Sequence, residues 1–110
     1  MASVPTPTFQ IDSDLRDGEA RLRLAGEFDL ATAPRVEEAA ENLIAAEIKR
    51  LVLDLSGLRF IDSSGLRVIV VLHQRAAQEG WTLELVRPAQ PVLKVFQISG
   101  LEERLNFVDA

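Results

Sequence analysis

The clearest pattern along the chain is a short apolar run followed by a turn and a longer apolar segment. Residues Leu51–Leu55 form a bounded run of residues that strands favour, which predicts a buried strand. A turn over Phe60–Gly65 follows, and apolar residues then recur at three- and four-residue spacing, which predicts a helix. We expect its inward stripe to comprise Leu66, Ile69, Val70, His73, Ala76 and Ala77. Ser63 and Ser64 therefore fall at the start of this helix.

The other segments alternate between strand and helix patterns. The pattern predicts a strand that begins near Phe9 and is broken at residues 12–14. A turn at Asp17-Gly18 follows, so this strand is expected to be the first arm of a hairpin. Its antiparallel partner is predicted over residues 20–26, and a helix is predicted from Leu30 to about Ala46 with either Asp29 or Thr32 as N-cap. Further patterns predict a strand at 81–86, a helix at 92–98, a helical turn at 102–105 and a strand piece at 107–108.

Strands that alternate with helices imply right-handed crossovers between parallel strands. We therefore expect an α/β fold, a mixed and mainly parallel β-sheet with an N-terminal antiparallel hairpin and helices packed against it. The 110 residues suit one domain, which we expect over residues 9–110 after a flexible segment at residues 1–8. The functional crevice of such a sheet lies beyond the C-terminal strand ends, where the loops at 26–32 and 60–65 are predicted.

Composition narrows the classes of partner. The 17 acidic and 12 basic residues give a net charge of -5, and the scattered basic residues offer no stripe for a nucleic acid backbone. The absence of cysteine excludes disulfides, thiolate nucleophiles and zinc fingers. The longest apolar run, Val68–Leu72, is far shorter than the ~20 residues that span a bilayer, and the N-terminus lacks a signal-peptide pattern. We expect a cytoplasmic protein that binds neither nucleic acid nor membrane.

The sequence Asp62-Ser63-Ser64-Gly65 has a structural and a functional interpretation. In the structural one, a side-chain oxygen caps a free N–H of the helix. In the functional one, Ser63 reacts as a nucleophile or accepts a phosphate. The nucleophile is the weaker hypothesis, because Ile61 stands where a hydrolase elbow requires glycine and His73 lies about 15 Å along the helix. We expect His73 to be a packed or partly buried structural residue.

Four segments resemble, in order and spacing, the STAS-domain anti-sigma factor antagonists of bacteria. They are Gly26-Glu27-Phe28-Asp29, Leu53-Asp54-Leu55, the segment from Phe60 to Leu66 that contains Asp62-Ser63-Ser64-Gly65, and Ile98-Ser99-Gly100-Leu101. The similarity extends from about Phe9 to Phe107. It implies a STAS-like fold and a regulatory protein that is not an enzyme and needs no cofactor.

The resemblance further implies a protein that switches partners by phosphorylation. Ser63 corresponds to the phosphoacceptor, and the kinase is the anti-sigma factor, an ATP-dependent serine kinase. The unphosphorylated antagonist binds this kinase and releases the sigma factor, and a serine phosphatase of the PP2C type resets the antagonist. The implied partner-binding residues are Asp29, Asp62, Ser63 and Ser64, with Ser64 acting as a cap or local hydrogen-bonding partner and Asp29 open to the alternative role of helix N-cap.

A phosphate on Ser63 would add a charge of about -1.5 to -2 beside Asp62 and repel an acidic partner. We expect free backbone N–H groups at the helix start to hold it, with little change in the backbone. Arg67 departs from the family pattern, since many relatives have a small residue there, often glycine.

Two alternative functions remain open at this point. The first is a STAS module that acts as a fixed scaffold in a stress-signalling assembly without switching. The second is a receiver-like phosphoaspartate switch, which would need Asp12, Asp14 and Asp54 gathered around Mg²⁺.

Overall fold

The chain forms a five-stranded sheet whose strands lie side by side in chain order. The computed structural model describes residues 9–109, so the predicted flexible segment at residues 1–8 lies outside the described residues. The strands are β1 (Gln10–Arg16), β2 (Glu19–Phe28), β3 (Arg50–Ile61), β4 (Thr82–Val86) and β5 (Phe107–Val108), and the helices are α1 (Ala33–Ile44), α2 (Ser63–Glu79) and α3 (Val92–Ile98). Strand β1 is antiparallel to β2 and the remaining pairs are parallel, which confirms the predicted fold class.

The hairpin is closed by Asp17 and Gly18, which both adopt positive φ angles of 52° and 78°. Positive φ at both central residues is typical of the two-residue turns whose twist matches that of a hairpin. The predicted break at residues 12–14 is wrong, because β1 pairs with β2 continuously from Gln10 to Arg16. An exposed edge strand has little apolar surface to bury, so its side chains need not alternate.

The core lies between the sheet and the three helices. Burial alternates along β2, with Leu22 and Leu24 buried as predicted. They belong to one cluster of buried residues that includes side chains from the other parallel strands and from all three helices. The cluster contains Leu53 of β3, Leu85 of β4, Val36 of α1, Leu72 of α2 and Phe96 of α3. Each crossover moves to the next strand in the same direction, so right-handed connections place the helices on one face of the sheet.

Strand β3 is longer than its apolar run indicated. The prediction of a turn over Phe60–Gly65 is wrong in its first part, because Phe60 and Ile61 are the last residues of β3 and pair with the end of β2. Gly57 permits this extension, since a Cβ there would lie 2.8 Å from the carbonyl oxygen of Leu24. As a result, only Asp62 separates the end of β3 from the start of α2.

The buried face of α2 is rotated by about one residue from the predicted stripe. The buried residues are Gly65, Val68, Ile69, Leu72 and Ala76, and the prediction for His73 is wrong because that residue is exposed. Leucine or valine fills residues 66, 68, 70, 71 and 72. With apolar residues on several faces of the helix, periodicity alone did not select the face that packs on the sheet.

Candidate functional site

The start of α2 is fixed by Asp62. Its Oδ1 accepts hydrogen bonds from the backbone N–H groups of Ser64 at 2.9 Å and Gly65 at 3.1 Å. Its carbonyl oxygen accepts the N–H of Leu66 at 3.0 Å. Asp62 is therefore an N-cap residue that satisfies three donors of the first helical turn.

Ser63 is the first residue of α2, and its side chain is exposed. Among residues 9–109, no group forms a hydrogen bond with its hydroxyl. Ser64 is half-buried and donates its backbone N–H to Asp62, so the capping side chain belongs to Asp62 and not to Ser64. The two adjacent serines thus differ, since Ser63 presents a free hydroxyl and the backbone of Ser64 is part of the cap.

Asp29 shapes the segment between β2 and α1. Its Oδ1 accepts hydrogen bonds from the N–H groups of Ala31 and Thr32, both at 3.1 Å, and its own N–H donates to Thr32 Oγ1 at 2.9 Å. Thr32 occupies the N-cap position of α1, yet its side chain makes no capping bond. Instead, the Asp29 carbonyl oxygen accepts the N–H of Ala33 at 2.8 Å. The carboxylate of Asp29 therefore stabilises the turn that precedes the helix.

Asp62 also joins the two segments. Its N–H donates to the carbonyl oxygen of Phe28 at 3.2 Å, and its Oδ2 accepts the N–H of Leu30 at 3.3 Å. Gly65 completes the contact, because a Cβ there would lie 2.7 Å from the Phe28 oxygen. The segments after β2 and β3 are therefore in direct contact at the C-terminal edge of the parallel strands.

A groove of about 370 Å³ runs between α1 and α2 from this edge. Leu30 and Ser64 lie at the end nearest the start of α2, and Leu30 is 76% exposed. The remaining lining is apolar at Ala33, Pro34, Val68, Val71 and Leu72 and charged at Glu37, Glu41, Arg67 and Arg75. Ser63 does not itself line the groove, but the next residue, Ser64, does, so the exposed Ser63 directly precedes a residue of this partly apolar surface depression.

In the unmodified protein, three of the backbone N–H groups expected to hold a phosphate on Ser63 are already occupied, whereas within residues 9–109 the N–H of Ser63 itself has no partner. The N–H groups of Ser64 and Gly65 are taken by the Asp62 carboxylate, and that of Leu66 is taken by the Asp62 carbonyl oxygen. A phosphate could bind these donors only by displacing Asp62. The nearest basic side chain along the helix belongs to Arg67, one turn further on.

The family model described as "Mlab, STAS domain" matches residues 11–109. The chain belongs to the STAS domain family. This STAS domain is 32% identical over 102 residues to the anti-sigma F factor antagonist of Paenibacillus polymyxa, an alignment that covers 92% of this chain and 87% of the relative.

Solved structures share the fold. An anti-sigma factor antagonist from Mycobacterium paratuberculosis superposes with a TM-score of 0.84 at 24% identity, covering 97% of this chain and 92% of the other. The Bacillus protein SpoIIAA is similar in its unphosphorylated form, with a TM-score of 0.77, 25% identity and coverage of 94% and 88% of the two chains. Its phosphorylated form has a TM-score of 0.72 at 24% identity, with coverage of 94% and 91%.

Other candidate residues of this STAS domain are not gathered into a site. Asp12 pairs with Arg23 at 3.0 Å on the exposed hairpin, and Asp54 accepts hydrogen bonds from the N–H and hydroxyl of Ser56. Across the described part of the chain, no group of three or more histidine, aspartate or glutamate residues could hold a metal ion. The arrangement required by the receiver-like hypothesis is therefore not found in residues 9–109. None of the helices in the same range combines the length and apolar character needed to cross a bilayer.

Sequence reasoning named Gly65 and Thr32 but missed what they do in the site, and it did not single out Leu30. Gly65 is needed for the close approach of two segments, Thr32 bonds the Glu27 carbonyl oxygen at 2.8 Å, and Leu30 is exposed beside the groove. The Asp-x-x-Thr spacing from Asp29 to Thr32 was a usable signal, because aspartate and threonine side chains form local bonds to nearby backbone groups. The exposure of Leu30 had no such local signal.

Proposed function

We propose that this STAS domain is a cytoplasmic anti-sigma factor antagonist that changes partners when Ser63 is phosphorylated. The observation that carries the proposal is that Ser63, the first residue of α2, is exposed and that its hydroxyl has no hydrogen-bond partner among the described residues; the next residue, Ser64, lines the groove. It is supported by the relatives, which include the anti-sigma F factor antagonist of Paenibacillus polymyxa, and by the phosphorylated and unphosphorylated forms of SpoIIAA.

The partner is an anti-sigma factor that is also a serine kinase. It transfers the γ-phosphoryl group of ATP to Ser63 Oγ, with loss of the hydroxyl proton and release of ADP. Before this transfer the antagonist occupies the kinase and the sigma factor is free. A PP2C-type serine phosphatase hydrolyses the phosphoserine and restores the binding form.

The four partner-binding residues contribute in different ways. The carboxylates of Asp29 and Asp62 are engaged with their own backbone, so their role is to hold the two loops in a shape that the kinase recognises. Ser63 presents the acceptor, and Ser64 forms the end of the groove beside it. The exposed side chain of Leu30 supplies apolar contact area in the same region.

Charge explains why phosphorylation would release the kinase. Ser63 follows Asp62 directly, so a phosphate of about -1.5 to -2 would extend an existing negative charge on the docking surface. Against an acidic partner face, the phosphate would bring like charges together at a cost of several kcal/mol, and a buried dianion adds a desolvation cost. Because neither term requires the helix to move, the switch is an on–off contact with little refolding of the antagonist.

The test uses the cognate anti-sigma kinase with ATP and locates the modified residue by mass spectrometry. We expect phosphate on Ser63 and none in Ser63→Ala. In a binding assay, Ser63→Asp should weaken kinase binding at least tenfold, about 1.4 kcal/mol, while Ser63→Ala binds like the unmodified protein. Ser13→Asp is the matched control, since it adds the same charge at an exposed position on β1.

Phosphate at another residue, or equal kinase binding by Ser63→Asp and Ser63→Ala, would contradict the switch. A kinase that binds the domain without ever modifying it would favour the fixed scaffold instead.

A further inference from the structure

We propose that Arg67 is the intramolecular partner of the phosphate on Ser63. This inference rests on the proposed function, because it concerns the phosphorylated form of the same site.

Geometry supports the pairing. Ser63 and Arg67 are four residues apart on α2, a spacing that places their Cβ atoms about 5–6 Å from each other on one side of a helix. Long helical side chains lean toward the N-terminus, so the guanidinium of Arg67 can reach a phosphate on Ser63. An anion that precedes a cation by four residues is also the favourable order with respect to the helix dipole.

The charges around Arg67 leave it available. Arg67 is exposed, and within the described residues it forms no ion pair. Of the two carboxylates that line the same groove on α1, Glu41 already contacts Arg75. Glu37 is the remaining competitor, and a phosphate dianion on the same helix attracts a guanidinium more strongly than one carboxylate across an open groove.

Most backbone donors at the start of α2 are already occupied, so Arg67 competes for the phosphate mainly with the N–H of Ser63, which has no partner among the described residues. The Ser64 and Gly65 N–H groups remain bound to Asp62, and the Asp62 carboxylate repels the phosphate from that side. Phosphorylation would therefore draw Arg67 toward the start of α2 and away from Glu37. The modification would change two parts of the docking surface at once, adding a dianion at Ser63 and removing a cation from the groove.

The test installs phosphoserine at position 63 during translation, so it needs no kinase. The second pKa of the phosphate is measured by ³¹P NMR titration in the otherwise unmodified protein and in Arg67→Gln, Arg67→Lys and Arg16→Gln. An ion pair favours the dianion, so Arg67→Gln should raise the phosphate pKa by roughly 0.15 to 0.4. Arg67→Lys should recover part of this effect, because it keeps the charge and loses the planar fork.

Arg16→Gln is the matched control and should leave the phosphate pKa unchanged. Arg16 is an exposed arginine at the hairpin, at the opposite end of the sheet from Ser63. Equal values in the unsubstituted and Arg67→Gln proteins would overturn the proposal, as would an equal rise in Arg16→Gln. Since the phosphate is introduced genetically, this outcome is independent of whether a cognate kinase modifies Ser63.

Discussion

Gly65 connects local sequence to the geometry of the site. A Cβ at this position would lie 2.7 Å from the Phe28 carbonyl oxygen and 2.8 Å from Ile61 Cγ1. Neither neighbour can give way easily, since one is backbone and the other belongs to a buried side chain of β3. Glycine is therefore required here for close packing, and its φ angle is not the reason.

We predict that Gly65→Ala destabilises the domain by about 1–3 kcal/mol, the usual cost of overpacking a closely packed site. Urea unfolding at neutral pH measures this loss. Ser64→Ala is the matched control, because it changes the adjacent residue while keeping the N–H that Asp62 binds, and it should stay within about 0.5 kcal/mol of the starting protein. Equal stability of the two variants would show that the start of α2 relaxes freely.

At the residue scale, the sequence predicted the local features of the site and missed the long-range ones. The cap at the start of α2 follows from the preference of aspartate for N-cap positions, so it could be read from a few neighbouring residues. The clash that excludes alanine at Gly65 involves Phe28, which is distant in sequence. The occupied N–H donors were also missed, because the motif alone did not indicate which oxygen would bind them.

At the scale of elements, Arg75 ties the middle of the helical layer together. It lies on α2, contacts Glu41 of α1 and donates from Nε to Glu79 Oε2 at 2.9 Å. Trp81 Nε1 donates to Glu79 Oε1 at 3.1 Å. The hydrogen bonds from Arg75 and then from Trp81 hold the pKa of Glu79 below its ordinary value.

We predict that Glu79 contributes to the stability of the domain at neutral pH and that this contribution is lost in acid. Because the pKa of Glu79 is depressed in the folded state, its contribution is present above the ordinary glutamate pKa of about 4.3 and is lost as pH falls through the folded-state value. Glu79→Gln should therefore lower the urea midpoint at pH 7, and the difference from the starting protein should shrink below about pH 4.

The control for this effect is Glu38→Gln. Glu38 is exposed on α1 and has no ion pair within residues 9–109, so its removal should leave the pH profile unchanged. A Glu79→Gln difference of constant size from pH 7 to pH 3 would show that the contacts of Glu79 are not electrostatic.

The elements themselves were largely predictable, and their faces and ends were less so. The helix over residues 92–98 and the closing turn of the hairpin match their sequence signals. The extension of β3 to Ile61 had no local signal, because it depends on a close approach between Gly57 and Leu24. The face of α2 was misassigned because apolar residues lie on several faces of the helix and the buried Gly65 does not register as hydrophobic.

For the whole molecule, alternation of strands and helices was sufficient to predict the sheet. Right-handed crossovers between successive parallel strands leave few arrangements, and the observed order from β1 to β5 is the simplest of them. That order brings the C-terminal ends of β2 and β3 together and so joins the Asp29 and Asp62 segments. Which surfaces stay exposed around them depends on the packing of side chains from distant segments, so Leu30 and the groove could be found only in the structure.

The single tryptophan provides a test of whether this architecture behaves as one cooperative unit. Trp81 is buried and belongs to the same core cluster as Leu22 of β2, Val36 of α1 and Phe96 of α3. A continuous core of this kind favours two-state unfolding. We predict that Trp81 fluorescence and far-UV circular dichroism report the same urea midpoint and the same m-value, about 1–3 kcal/mol/M. The two probes should also agree for the Ser63→Asp variant, since residue 63 lies outside the core. A fluorescence transition that precedes the loss of secondary structure would mean that the α2–β4 region unfolds separately.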